Sequence, residues 1–539
     1  MSRSSRLVPV SKHRHTGDKF FPQGFVSGFL IFVLALAAAS LRADTNENAA
    51  VFIGDLRRLV EEQNQKINEL NARLRELEEK ETRRETNAPA PRLPAIVIDT
   101  NGAPLGTLAI SEGTGAPTNT AATNRPQPQL SAGANGFAFR SADSNFTLAF
   151  HGLVQADSRS FFDDNPYSTG NDGFLLRRAR PILEGTLFHD YGFLVVPDFG
   201  GSKVQLFDAC INARFLPELQ LKAGKFKGPV SLENLQTDAA APFNERSLAS
   251  DLAPMRNVGV QLGGDLDGGT VSWAGGVYNA TGDGRLPDNS AFSDDLEFAG
   301  RLFFRPFKET ELPYLRGFGF GLGGSYSEVA SNSAALPATT GGSYAGFWTA
   351  GQQQFFAYNP ALGPVVADGA HWRLAPQGCY YVGPFGVQGE YIVSHQDVLN
   401  CDTGYRAGLE NTGWQVSLQW VLTGEDASFD AITPAHPFNP RGGGWGAWQL
   451  VARYSELDVD PNAFNGFADA DTSAQSAGAW TVGLNWWLNA NVRVLTSFSH
   501  TTFHGGGDVN DLVPSTTVPP ATVSHQSENV LFTRIQIAF

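Results

Sequence analysis

The sequence predicts an all-β fold: a sixteen-stranded antiparallel transmembrane β-barrel with an N-terminal coiled-coil helix. Three observations carry the prediction. From residue 146 onward, apolar and polar residues alternate with period two. The alternating segments run about 9–13 residues, longer than ordinary strands and close to membrane-spanning ones. The gaps between them mostly alternate short and long, as in barrels with turns at one end and loops at the other.

The chain has 539 residues, with 39 Lys+Arg against 54 Asp+Glu and a net charge of −15. That acidic balance argues against a nucleic-acid partner, which selects a basic surface. Charged residues make up only 17%, below the roughly 25% of average soluble domains. Cys210, Cys379 and Cys401 lie far apart and form neither a disulfide framework nor a metal-ligand spacing.

Residues 1–43 read as a secretory signal peptide. A basic stretch with Arg3, Arg6, Lys12, Arg14 and Lys19 precedes the apolar run Phe25–Ala39, and small residues lead to an expected cut after Ala43. The run is shorter than the roughly 20 residues a spanning helix needs. No later stretch is long and apolar enough to span as a helix, so a membrane-embedded body has to be a barrel.

Residues 51–86 carry a heptad seam: Ile53, Val60, Ile67 and Leu74 at one position, Leu56, Gln63, Leu70 and Leu77 at the other. A two-in-seven stripe suits a partner helix rather than a globular core. Residues 87–135 are rich in Pro, Ala, Thr and Asn without sustained periodicity and read as a linker.

The barrel reading covers residues 146–539. In 411–423, Trp414, Val416, Leu418 and Trp420 share one face, opposite Gln415, Ser417 and Gln419. In 479–488, Trp480, Val482, Leu484 and Trp486 share a face, and in 528–539 Leu531, Thr533, Ile535, Ile537 and Phe539 do. Sixteen such segments run from 146–160 to 528–539. Two connections break the rhythm: 200–202 is short where a loop is expected, and 424–445 is long where a turn is expected. Pro181 and Pro197 fall inside strands, where each removes a ladder donor.

The sequence carries no G-x-S-x-G, H-E-x-x-H or Walker A motif, and no cofactor or metal site is expected. The distinctive residues are cationic. Arg178 and Arg180 share a polar face with Glu184; Leu175, Ala179, Leu183 and Leu187 take the other, which places Arg177 at the rim of the apolar side. Arg159, Arg214, Lys222, Arg301, Arg305, Arg453 and Arg534 also fall on polar faces. Polar faces of a barrel look into the lumen, where Arg and Lys attract anions. The competing reading is that these arginines pair with Asp157, Glu184, Asp198, Asp208 and Glu297 and only brace the wall. The stretch 224–256 is long enough to fold inward and narrow the bore with Lys225, Lys227, Arg246 and Arg256. Strand parity breaks near Gly224, which leaves open whether Lys225 or Lys227 faces the lumen.

The segments FLLRRARPILEGTLF, LQLKAGKFKGPVSLENLQ, NERSL, MRNVGVQLGGDL, FAGRLFFRPF and GLNWWLNANVRV resemble the phosphate-selective porin O and P family over roughly residues 146–539. The resemblance implies a trimeric outer-membrane barrel passing phosphate or pyrophosphate along an arginine–lysine ladder. Arg177, Arg178 and Arg180 would belong to that ladder, and Lys225, Lys227 and Arg246 to the third-loop constriction. The expected function is passive anion diffusion without catalysis, with outer-membrane lipid, small anions and two further copies as partners. A general or sugar-type pore is the alternative within the class. A third reading makes the barrel an anchor whose coiled coil tethers a periplasmic or cell-wall partner.

Overall fold

The computed structural model describes residues 127–162, 172–201, 204–284, 295–329, 346–470, 473–505 and 527–539. The expected signal peptide, the coiled coil and most of the linker lie outside these residues. The described chain opens with a hairpin, β1 (Gln129–Gly133) and β2 (Gly136–Arg140). The barrel strands follow: β3 (Thr147–Phe161), β4 (Gly173–Leu187), β5 (Tyr191–Asp198), β6 (Gln205–Leu216), β7 (Leu219–Phe226), β8 (Asn257–Leu266), β9 (Val271–Asn279), β10 (Leu296–Phe304) and β11 (Phe318–Val329). A small separate hairpin, β12 (Gly346–Trp348) and β13 (Gln354–Ala357), interrupts the order. The barrel resumes with β14 (Val365–Val382), β15 (Phe385–Asn400), β16 (Arg406–Val421), β17 (Ala447–Asp458), β18 (Ser476–Trp487), β19 (Val492–His504) and β20 (Ser527–Ala538).

Each barrel strand pairs antiparallel with its neighbours, and β20 pairs with β3 from Val530–Phe161 to Ala538–Leu153. The result is a closed 16-strand barrel. Closure leaves no open edge within the barrel wall, which is what allows a sheet to sit in lipid. The barrel is inverted relative to a soluble protein. Leu418, Trp420, Trp480 and Ile535 are exposed on the outside, while Gln155, Gln415, Asn485 and Arg534 are buried inside. Trp414 and Trp486 share the outer face with them by strand alternation.

The two breaks in rhythm are real features. The connection 199–204 is short at the loop end, whereas 422–446 is long at the turn end. Pro197 sits at a bulge between β5 and β6, where the ladder loses register and the missing donor costs least.

The expected linker ends too late in the sequence. Its last residues form β1, and β1–β2 is a hairpin with Ala134-Asn135 as the turn and Gly136 at φ +79°. β2 pairs with Thr147–Phe150 of β3, below the point where β20 ends, and so continues the seam beyond the chain's last residue. Phe539 packs its ring near Phe137 and Phe150 and exchanges backbone hydrogen bonds with Gly152.

Candidate functional site

The lumen is organised by the connection 227–256, between β7 and β8, which folds into the barrel. It contains a one-turn helix, α1 (Leu232–Leu235), and a 3₁₀ turn, Leu248–Leu252. Wall residues from β14 round to β20 hold it. Glu390 accepts from the backbone N–H of Leu232 and Glu233 and from Ser231 Oγ, gripping the start of α1. Gln377, Asn485 and Gln536 donate to the carbonyls of Val230, Pro242 and Ala239. Leu248 and Leu252 join a buried apolar cluster with Phe347 and Phe356 near β12–β13 and Leu409 and Leu457 on the wall.

The loop's carboxylates meet the wall's arginines. Glu245 takes Arg177 through two hydrogen bonds of 2.6 and 2.9 Å and Arg159 at 3.1 Å, with Arg534 at 3.4 Å. Asp238 takes Arg180, Arg178 and the loop's own Arg246. Glu233 takes Arg453 at 3.1 Å. Wall carboxylates contribute too: Arg534 pairs with Asp157, Arg180 with Asp198, Arg256 with Asp208 and Arg373 with Glu297. Burial alone would raise the carboxyls of Glu245 and Asp238. The surrounding arginines outweigh it and hold both far below the usual carboxylate range.

Arg177 is not at the rim. The β3–β4 ladder shifts register there, pairing Gln155 with Arg178 and Ala156 with Leu176, so Arg177 is the extra residue of a β-bulge. The bulge frees its side chain to turn inward to Glu245, and it moves Leu175 opposite buried Asp157. Strict alternation cannot show this, since one inserted residue inverts every face beyond it.

Along the other part of the wall lies a cavity of about 960 Å³, lined by residues of β3 to β10. Arg180, Lys222, Lys227, Arg256 and Arg301 line it, against Glu184, Asp208 and Asp238. Lys222 and Arg301 have no carboxylate partner among the described residues. Lys222 lies over the Phe226 ring at 4.5 Å, and Arg301 donates to Gln377 at 2.7 Å while lying over Phe303. Lys227 donates to the carbonyls of Leu235 and Gln236, and burial together with Arg246 and Arg256 pushes its ammonium well below the ordinary lysine range. The long turn-end connection reaches the same cavity through Ala431 and Thr433, and Gln236 donates to Phe429 O, joining it to the inward loop.

Of the nine residues expected to line the pore, the structure brings Arg180, Lys227, Arg256 and Arg301 to the cavity. Arg177 and Arg178 are held on the loop's carboxylates, and Arg246 is a strut within the loop, donating to Glu233 O and Gln236 O. Lys225, opposite Ala209 and Val258, is buried and is not among the residues lining the cavity, whereas Lys227 is. Arg305 lies past the end of β10, exposed beside Phe303. Sequence reasoning missed Glu233, Asp238 and Glu245 as counter-charges. It also missed Arg373, which grips Asp283 and Glu297, and Arg493, buried over Trp487 and donating to Gln536. Glu233, Asp238 and Glu245, spaced through the long connection that follows the lysine-bearing β7, were the available signal.

The phosphate-selective porin O and P family matches residues 149–519. The chain belongs to this family. It is therefore an outer-membrane porin, a channel whose short-turn end, which carries both chain ends of the barrel, faces the periplasm. No curated protein matches the sequence. Among solved structures, this porin is similar to the outer-membrane channel DcaP of Acinetobacter baumannii, at 10% identity and a TM-score of 0.45, covering 74% of this chain and 99% of that one. The anion-selective porin from Comamonas acidovorans compares at 12% identity and a TM-score of 0.44, covering 73% and 100%. OmpT of Vibrio cholerae gives the same identity and TM-score, covering 73% and 98%.

Proposed function

We propose that the porin passes small anions, phosphate-like solutes among them, by passive diffusion along the β3–β10 side of its lumen. The observation that carries this reading is the imbalance in the cavity on that side. Five cations face three carboxylates there, and Lys222 and Arg301 are not neutralised by any of them. A positive potential in a narrow, low-dielectric bore concentrates anions and repels cations. The arginines of the wall serve mainly to seat the constricting loop, and the path cations set the sign of the selectivity. Zero-current potentials across a planar bilayer with a KCl gradient test this. The wild type should show an anion preference, and the Lys222→Gln/Arg301→Gln variant should lose most of it. A cation preference in the wild type would end the reading.

The proposal extends to assembly. Residues 1–43 direct export, and the 51–86 helices of three copies bundle on the periplasmic side, since the barrel's N-terminal end faces that way. A cysteine at Leu70 should crosslink protomers in oxidising conditions; a monomeric band would contradict the bundle.

A further inference from the structure

The cavity beside the path cations has a second kind of wall. Leu153, Ile182, Leu194 and Val196, from adjacent strands β3, β4 and β5, face into it, and Leu235 of the inward loop closes on the same space. Inward-facing aliphatic side chains on neighbouring strands run against the expected polar lining of a porin lumen. They form an apolar strip within a bore whose other surfaces carry Lys222, Arg256 and Arg301.

The spacing suits one kind of solute. β5 and β7 are two strands apart, which is about 10 Å across the wall. An anion with its charge on Lys222 can therefore lay an apolar body of five to eight carbons against Leu194 and Ile182. A cavity of about 960 Å³ also falls at the size of sites for organic ligands.

Resting on the anion reading above, we propose that this porin favours amphipathic organic monoanions, carboxylates with an apolar body, over small hydrophilic anions of equal charge. The aliphatic strip takes the body and Lys222 takes the carboxylate. Several weak contacts in series let the solute leave, as conduction requires.

The experiment uses the full-length porin in planar bilayers, with sodium benzoate and sodium acetate added against a chloride current. Benzoate should block at a concentration about tenfold lower than acetate, the factor that burial of roughly 55 Å² of apolar surface supplies. The Leu194→Asn/Ile182→Thr variant should bring benzoate block to the acetate level and leave acetate block unchanged. Its chloride conductance reports that the barrel is folded. Lys222→Gln should weaken block by both anions alike. Equal block by benzoate and acetate in an anion-selective wild type would overturn this inference alone, as would a double variant that keeps the benzoate preference. A wild type without anion selectivity would overturn the reading beneath it instead.

Discussion

Replacing Glu245 by glutamine removes one negative charge from the constriction and nearly no volume. In the structure this carboxylate holds Arg177 through two hydrogen bonds and Arg159 through one, with Arg534 close by. Two effects follow. Breaking a buried ion pair by removing one partner costs about 3–5 kcal/mol, and the amide oxygen of glutamine recovers part of it. The loop keeps its other anchors at Glu390, Gln377 and Asn485, so the cost falls on the Glu245 corner and the barrel still closes. The second effect is electrostatic. A unit charge about 8 Å from an ion in a water-filled bore is worth about 0.5 kcal/mol, so removing it raises anion entry and lowers cation entry about twofold each. The anion-to-cation permeability ratio should therefore rise about fourfold in Glu245→Gln. Because the arginines hold Glu245 far below the usual carboxylate range, its charge is present throughout the working pH range. The rise should be the same at pH 5.5 and pH 8. Reversal potentials in about 20 mM salt are the assay, since the Debye length near 0.15 M, about 8 Å, would screen the effect. A ratio that is unchanged or lower would refute the assignment of Glu245 as the counter-charge of the wall.

Lys227 is charged below its pKa and neutral above it, and that pKa lies well below the ordinary lysine range. Anion preference should therefore fall as pH rises through a value lower than a normal lysine's. Lys227→Gln should remove that step from a titration of reversal potential. Deleting 427–435 withdraws the turn-end connection, with Ala431, Thr433 and Phe429, from the lumen, and single-channel conductance should rise; unchanged conductance would mean that it does not narrow the path. Gly136→Val places a Cβ 2.3 Å from Phe150 O, a steric clash, at a φ of +79°. It should break the β1–β2 hairpin and lower the temperature at which the folded band is lost on a semi-native gel.

The barrel was legible because a lipid-facing wall enforces period two over every strand, and a one-residue slip would put Arg or Gln into lipid. Trp420, Trp480 and Ile535 were read correctly for that reason. Arg177 was misread because a bulge inserts one residue without any change in composition. β1 was absorbed into the linker, and β2 was left unassigned, because each strand is only five residues long, although Asn135-Gly136 marks the turn between them. The site was only half legible. The polar faces named most of the lumen cations, but which of them remain unneutralised depends on where a long loop lays its carboxylates. Contacts such as Glu245–Arg534 and Glu233–Arg453 span hundreds of residues and leave no local pattern.

The central claim is that selectivity rests on the unpaired path cations rather than on the arginines that seat the loop. Reversal potentials of Lys222→Gln/Arg301→Gln, compared with those of the single variant Arg177→Gln, test it most directly. The account predicts that the double variant loses most of its anion preference, with an anion-to-cation permeability ratio about sixteenfold lower, two charges each contributing about the fourfold estimated from Coulomb's law. In Arg177→Gln the ratio should fall by no more than about the fourfold of one charge. A double variant that keeps the wild-type ratio while Arg177→Gln abolishes it would contradict the account.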